Sequence, residues 1–254
     1  MKSLKESIFK ESIFDDVEDI VNDDTVLIDQ FLKDNYEIRG TYTINKDGTV
    51  DVDGTIWLMN KSAKAITNGA FRFGRVKGCF YCSECKKLES LKGAPKEVGS
   101  WFRCSGCSNL KSLEGGPERV GGIFDCSECT KLTSLEGAPK EIGGNFDCNG
   151  CKNLKTLKGG PEKVGGSFDC YDCTKLTSLE GAPEKIGADF WCARCHSLKT
   201  LEGAPKEVGG GFYCNECDNL VSLEGAPKKA ESIYYKGCKN LTITDQDRKK
   251  YKII

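Results

Sequence analysis

Fourteen of the sixteen cysteines in this 254-residue chain stand in seven Cys-x-x-Cys pairs. On a tight turn, that spacing delivers two thiolates to one zinc ion or iron–sulfur cluster, or poises a dithiol for disulfide exchange. The first members are Cys82, Cys104, Cys126, Cys148, Cys170, Cys192 and Cys214, so the pairs recur at every twenty-second position; Cys79 and Cys238 stand apart. The spacing alone does not make a ligand set. If the first cysteine lies on an extended strand rising ~3.3 Å per residue, its partner is about 7–10 Å away, too far for one ion. The residues after the second cysteine are Lys86, Ser108, Thr130, Lys152, Thr174, His196 and Asp218, with no glycine to shape a metal knuckle. A thioredoxin-type site needs a helix N-terminus to activate one thiol, and a uniform stack supplies none. Equivalent cysteines on adjacent strands would lie ~4.8 Å apart, close enough for disulfides or a metal-bridged column. A cysteine-array module binding zinc or iron therefore stands as the alternative reading. The primary one is packing, with no metal ligand and no cofactor assigned.

Other catalytic chemistry finds no foothold. His196, the only histidine, falls where other coils carry Lys, Ser, Thr or Asp and is expected on the surface. No Ser-His-Asp arrangement, phosphate loop or paired-carboxylate motif stands out, so the chain is expected not to be an enzyme.

The frame holding the cysteines is Phe-x-Cys-x-x-Cys-x-x-Leu-x-(Ser/Thr)-Leu-x-Gly-(Ala/Gly)-Pro, repeated head to tail from Phe80 to Pro227. A fixed period of this length marks a solenoid, whose coils bury their apolar faces only against each other. In the coil from Val120, Phe124 and Cys126 are two apart and face one side of a strand. Val120, Cys129, Leu132 and Leu135 complete the inward set. The fold class expected is a mostly-β repeat solenoid with a parallel sheet on one face and a helical N-terminal segment.

The order Phe-x-Cys-x-x-Cys-x-x-Leu resembles the leucine-rich repeat segment Leu-x-Leu-x-x-(Asn/Cys)-x-x-Leu, especially its cysteine-containing form. Phe124 and Cys126 match the strand leucines and Cys129 the Asn/Cys column. The wording Leu-Thr-Ser-Leu-Glu-Gly-Ala-Pro-Lys-Glu-(Val/Ile)-Gly-Gly is similar to repeats in phage-encoded proteins of gut bacteria, as are Tyr42 to Gly54 and the opening Met1 to Ile8. The resemblance implies a bend at Cys129 whose side chain supports backbone of the neighbouring loop. It also implies extended or polyproline-like backbone, rather than a helix, around each Gly-Pro. It carries no assigned reaction.

The ends depart from the repeat. Leu4, Ile8, Phe9, Ile13, Val17, Ile20 and Val21 step by three and four, predicting a helix over 2–21, with a second short helix capped by Asp23 or Asp24 and carried by Val26, Leu27, Ile28, Phe31 and Leu32. From Tyr42 the pattern alternates, with turn signals at Asp47-Gly48 and Asp53-Gly54 that predict hairpins or short strands. A degenerate coil is expected from Leu58, because Ile66 and Val76 stand one period before Leu88 and Val98. After Pro227 the register shortens by one residue, putting Tyr235 and Cys238 in the places of Cys214 and Cys217. The organisation expected is a helical segment over 1–40, a β cap with a degenerate repeat over 41–78, seven repeats over 79–229 and a C-terminal cap over 230–254.

Function is therefore sought on the surface, in the positions that vary. The column before the first cysteine reads Tyr81, Arg103, Asp125, Asp147, Asp169, Trp191, Tyr213; two residues earlier come Trp101 and Asp189, in a column that also holds Cys79, Ile123, Asn145, Ser167 and Gly211. Both columns project from one sheet face, and aromatic and Arg residues there are the types that dominate protein-binding sites. Three aspartates in a row repel one another, which a basic ligand or cation would relieve. Trp101 and Trp191 are expected to be exposed. The expectation is a protein-interaction scaffold, with a virion-associated structural protein as a further alternative. The 37 basic and 38 acidic residues balance, giving no electrostatic reason to expect nucleic acid or an anionic membrane. The charged opening lacks a secretory core, and thiol-rich chains without export signals belong in a reducing cytoplasm, including a host cell's if the chain is phage-encoded.

Overall fold

The computed structural model describes residues 17–67, 69 and 71–254, with side chains from Asp24 onward. From Phe80 the chain winds into a parallel β-solenoid in which each coil carries two strands of two residues. Arg119–Val120 and Phe124–Asp125 are one such pair. Neighbouring coils pair in parallel one period apart: Phe102 lies opposite Phe124, which lies opposite Phe146, and Val120 lies opposite Ile142.

Local chemistry explains why the strands are so short. Between them sits a glycine corner where coils approach too closely for a side chain: a Cβ at Gly121 would lie 2.2 Å from the Gly99 carbonyl oxygen. After the second strand, backbone pairing continues through Cys126 and Glu128, whose N–H groups donate to Asp147 and Asn149 of the next coil. The chain then bends. The residue before the second cysteine is left-handed in every coil, as a glycine at Gly106 and Gly150 but as Glu84, Glu128, Asp172, Arg194 and Glu216 elsewhere. A left-handed non-glycine residue is uncommon and costs on the order of 1 kcal/mol. Its recurrence means the surrounding ladder enforces it. A second bend closes each coil at the Gly-(Ala/Gly)-Pro step, where the Ala138 N–H donates to the Leu135 carbonyl across Gly137 (φ 88°). The backbone there is not helical, as expected, but it is a tight turn through a left-handed glycine and not the extended or polyproline-like run expected.

The core is a set of columns. Phe124, Cys126, Cys129, Leu132 and Leu135 are all 0% exposed, and the same holds one period up and down. Phe rings stack nearly parallel from coil to coil, 5.3 Å apart between Phe80 and Phe102 and again between Phe102 and Phe124. Burying a side chain of this size is worth roughly 1.5–3 kcal/mol.

At the N-terminal end the described helix, α1 (Val17–Asn35), runs straight through Asp23 and Asp24, where a second helix was expected to begin. Both aspartates sit mid-helix, so neither caps; packing of the helix's apolar face through Ile28 and Leu32 outweighs the cap signal. The part of the first predicted helix before Val17 lies outside the described residues. Ile28 and Leu32 enter the core, and Phe31 packs edge-on against Phe71. Extended backbone begins at Tyr36, earlier than the alternation from Tyr42 suggests. β1 (Tyr36–Ile44) and β2 (Thr49–Leu58) form an antiparallel hairpin turning at the first Asp-Gly. The second Asp-Gly is no turn. Gly54 lies within β2 opposite Gly40, where a Cβ would meet the Arg39 carbonyl at 2.1 Å. β3 (Arg72–Val76) then places Val76 opposite Val98, and Ile66 is buried, as the degenerate coil requires.

At the other end Phe212 pairs with Ile233 rather than with a residue one full period on, so the shortened register is real. The closing helix α2 (Asp245–Lys250) carries a capping box between Thr244 and Asp247 but buries nothing. Closure comes from Ile253, which bridges to Ile233, with Tyr251 packed beside it.

Candidate interaction face

The residue after each core phenylalanine points outward, and strand pairing lines these residues up. Tyr81 lies beside Arg103, Arg103 beside Asp125, and Asp169 beside Trp191. All the expected residues of this column lie half-buried on one face. The row extends further than the cysteine motif showed: Trp57 of β2 joins its start beside Tyr81, and Tyr234 joins its end beside Tyr213. Both fall off the strict period, Trp57 by two residues and Tyr234 by one, which hid them. A search for aromatics near the expected period would have found them.

Its two ends are aromatic. Trp191 and Tyr213 stack with ring centres 3.6 Å apart and planes 2° from parallel, and Tyr213 stacks on Tyr234 at 4.4 Å. Trp191 is thus half-buried by its own neighbours, not the open aromatic expected. Its partner is the next coil. Trp57 and Tyr81 stack at 5.4 Å with Arg39 lying over the Trp57 ring. Trp101 is exposed, as expected, and Arg103 lies over it at 4.7 Å, which places the two columns on one face.

The centre is acidic. Asp125, Asp147 and Asp169 each accept the backbone N–H two residues on, from Ser127, Asn149 and Tyr171, at 2.8 to 3.0 Å. This local bond is the reason aspartate suits the bend, since its carboxylate caps the turn ahead of the left-handed residue. Repulsion along the row is met in part by Arg103, 3.9 Å from Asp125. Burial pushes the Asp147 carboxyl up to about 6, with the charges of Asp169 and Asp125 adding to it. Burial likewise raises Asp169. Asp189, in the second column, accepts the Gly211 N–H at 2.8 Å and so supports the stack.

The fourteen paired cysteines lie buried beneath this face, Cys79 and Cys238 are half-buried, and all sixteen are free. The extended spacing expected between paired cysteines is wrong. Cys107 N–H reaches back to the Cys104 carbonyl at 3.4 Å, so each pair brackets a turn created by the left-handed residue. The second thiol nevertheless turns to the preceding coil: Cys107, Cys129 and Cys151 donate to the carbonyls of Cys82, Cys104 and Cys126 at 3.2 to 3.3 Å. These thiols do the backbone-supporting task the resemblance implies. Among the described residues no three His, Cys, Asp or Glu side chains group so as to hold a metal ion. His196 is half-buried rather than exposed, its Nδ1 3.2 Å from Asp218 because both follow the second cysteine of adjacent coils. Among the described residues no helix is long and apolar enough to cross a membrane.

No protein-family model, curated protein or solved structure matches the chain.

Proposed function

We propose that this chain is a non-enzymatic interaction scaffold whose outward strand face binds a protein partner through an extended basic segment. One observation carries it: a continuous row on a rigid sheet, with stacked aromatics at both ends and three carboxylates between. Trp57, Tyr81 and Trp101 with Arg103 offer flat contact area at one end, and Trp191, Tyr213 and Tyr234 at the other. Such residues give large contact area at low entropic cost. Cationic side chains of the partner reach Asp125, Asp147 and Asp169. The sequence resemblance to cysteine-containing leucine-rich repeats, a class that binds through strand faces, supports the same reading, as does the likeness to phage-encoded repeats for its source. Sixteen free thiols, fourteen of them buried, fit a reducing cytoplasm.

Affinity capture from the native host tests it, comparing wild type with Arg103→Ala/Trp191→Ala after circular dichroism has established that the variant folds. Loss of a captured protein by the folded variant is the expected outcome. Retention of every captured protein when both outward columns are replaced would sink the reading.

A further inference from the structure

The balanced total of charge does not hold face by face. Elsewhere on the rod several lysines are paired with carboxylates of neighbouring coils: Lys140 with Glu162 at 3.0 Å, Lys158 with Glu180 at 3.0 Å, Lys163 with Glu141 at 2.9 Å, Lys185 with Glu207 at 3.2 Å, and Lys206 with Glu184. The limb around the first leucine of each coil is different. The residue before that leucine alternates Asn109, Lys131, Asn153, Lys175, and the residue after it alternates Lys111, Thr133, Lys155, Thr177, Lys199. The two alternations are out of phase, so each of five successive coils presents one lysine.

Lys111, Lys131, Lys155, Lys175 and Lys199 are all exposed, and none of the ion pairs among the described residues involves them. Four of the five line one shallow depression of about 460 Å³ together with Thr133 and Asn153. Two are held in place: the Lys131 ammonium donates to Asn109 Oδ1, and that of Lys175 to Asn153 Oδ1 at 2.7 Å. Neutral Asn, Thr and Ser, not Glu, fill the alternate positions, so no carboxylate at them offsets the repulsion along the row.

We infer that this lysine row binds single-stranded nucleic acid through its phosphate backbone, without regard to sequence. The row advances ~4.8 Å per coil and runs along the rod axis, so a flexible extended strand can follow all five charges. A duplex, whose backbone winds away, would meet fewer. Lysine holds phosphate as a point charge, and no aromatic residue sits among the five lysines and their alternating neighbours to read bases. The acidic row of a second copy is the competing occupant, but it offers three carboxylates, Asp125, Asp147 and Asp169, to five lysines. This inference is independent of the strand-face reading.

Fluorescence anisotropy with a labelled 20-nucleotide oligothymidylate tests it. Wild type is expected to bind at low salt with log K falling against log salt at a slope of about −3, the value for four or five phosphates on a single strand. Lys111→Gln, Lys131→Gln, Lys155→Gln, Lys175→Gln and Lys199→Gln together should weaken binding at least tenfold. The same change at the ion-paired Lys140, Lys158, Lys163, Lys185 and Lys206, the last held by Glu184, should leave it within twofold. Absence of binding at 20 mM salt, equal loss from both variants, or tighter binding of a 20-base-pair duplex would each overturn the inference. So would light scattering showing that the first variant abolishes self-association of the protein while oligothymidylate binding stays unchanged.

Discussion

The inward columns and the outward strand row lie on the same two-residue strands, yet they follow opposite rules. Phe80, Phe102, Phe124, Phe146, Phe168, Phe190 and Phe212 are one residue type in seven coils, all fully buried. Their immediate neighbours in sequence run through aromatic, basic and acidic types within the same distance. A buried column admits only a side chain that stacks on its own copy above and below, because interiors are close-packed and a missing group leaves a void. The outward row needs only to satisfy its local turn. Freedom to vary is therefore where recognition can be built.

The largest expected contrast is between Phe146→Ala and Trp191→Ala. Removing Phe146 breaks a stack in mid-rod and should lower stability by about 3–5 kcal/mol, read by urea unfolding followed by circular dichroism. Losing the Trp191 ring forfeits one outward stack and should cost about 1 kcal/mol. Equal losses would erase the distinction between the rows.

Next in size is the thiol ladder. Cys129→Ala takes the Sγ–H donor from the buried Cys104 carbonyl and should cost about 1–3 kcal/mol in the same assay. A neutral effect would make the second cysteine column filler like the first.

The smallest effect comes from the outward row itself. Asp147 titrates near 6 in the folded chain against an ordinary value of 3.8. A raised carboxyl favours the folded state while protonated, so its contribution is complete below about pH 4 and lost as pH rises through 6. Asp147→Asn keeps the acceptor for Asn149 and should remove that dependence, leaving the variant on the order of 1–2 kcal/mol more stable than wild type at pH 7. Stability profiles that coincide from pH 4 to 7 would show the row to be fully solvated.

The sequence carried the inward columns almost completely, since its fixed period forces Phe124, Cys126, Cys129, Leu132 and Leu135 to meet their own copies. It also placed Tyr81, Trp101 and Arg103 on one face. It did not show that Trp191 would stack on Tyr213, because ring orientation depends on how closely adjacent coils stack. Nor did it show the turn between paired cysteines. That turn needs Glu128 or Asp172 in a left-handed backbone that such residues rarely adopt, and only the inter-coil ladder makes them do so. The run of α1 through Asp23 and Asp24 was missed because two aspartates resemble a cap until tertiary packing of Ile28 and Leu32 draws the helix through them.

One consequence follows from coils that pair only with their neighbours in a fixed register. Excising or duplicating one whole repeat anywhere between the caps returns every strand, stack and thiol bond to an equivalent partner. The size of the molecule is thereby quantised: each added unit lengthens the body by ~4.8 Å and extends both charged rows together. Their reach is set by a count of repeats, not by the shape of any one of them.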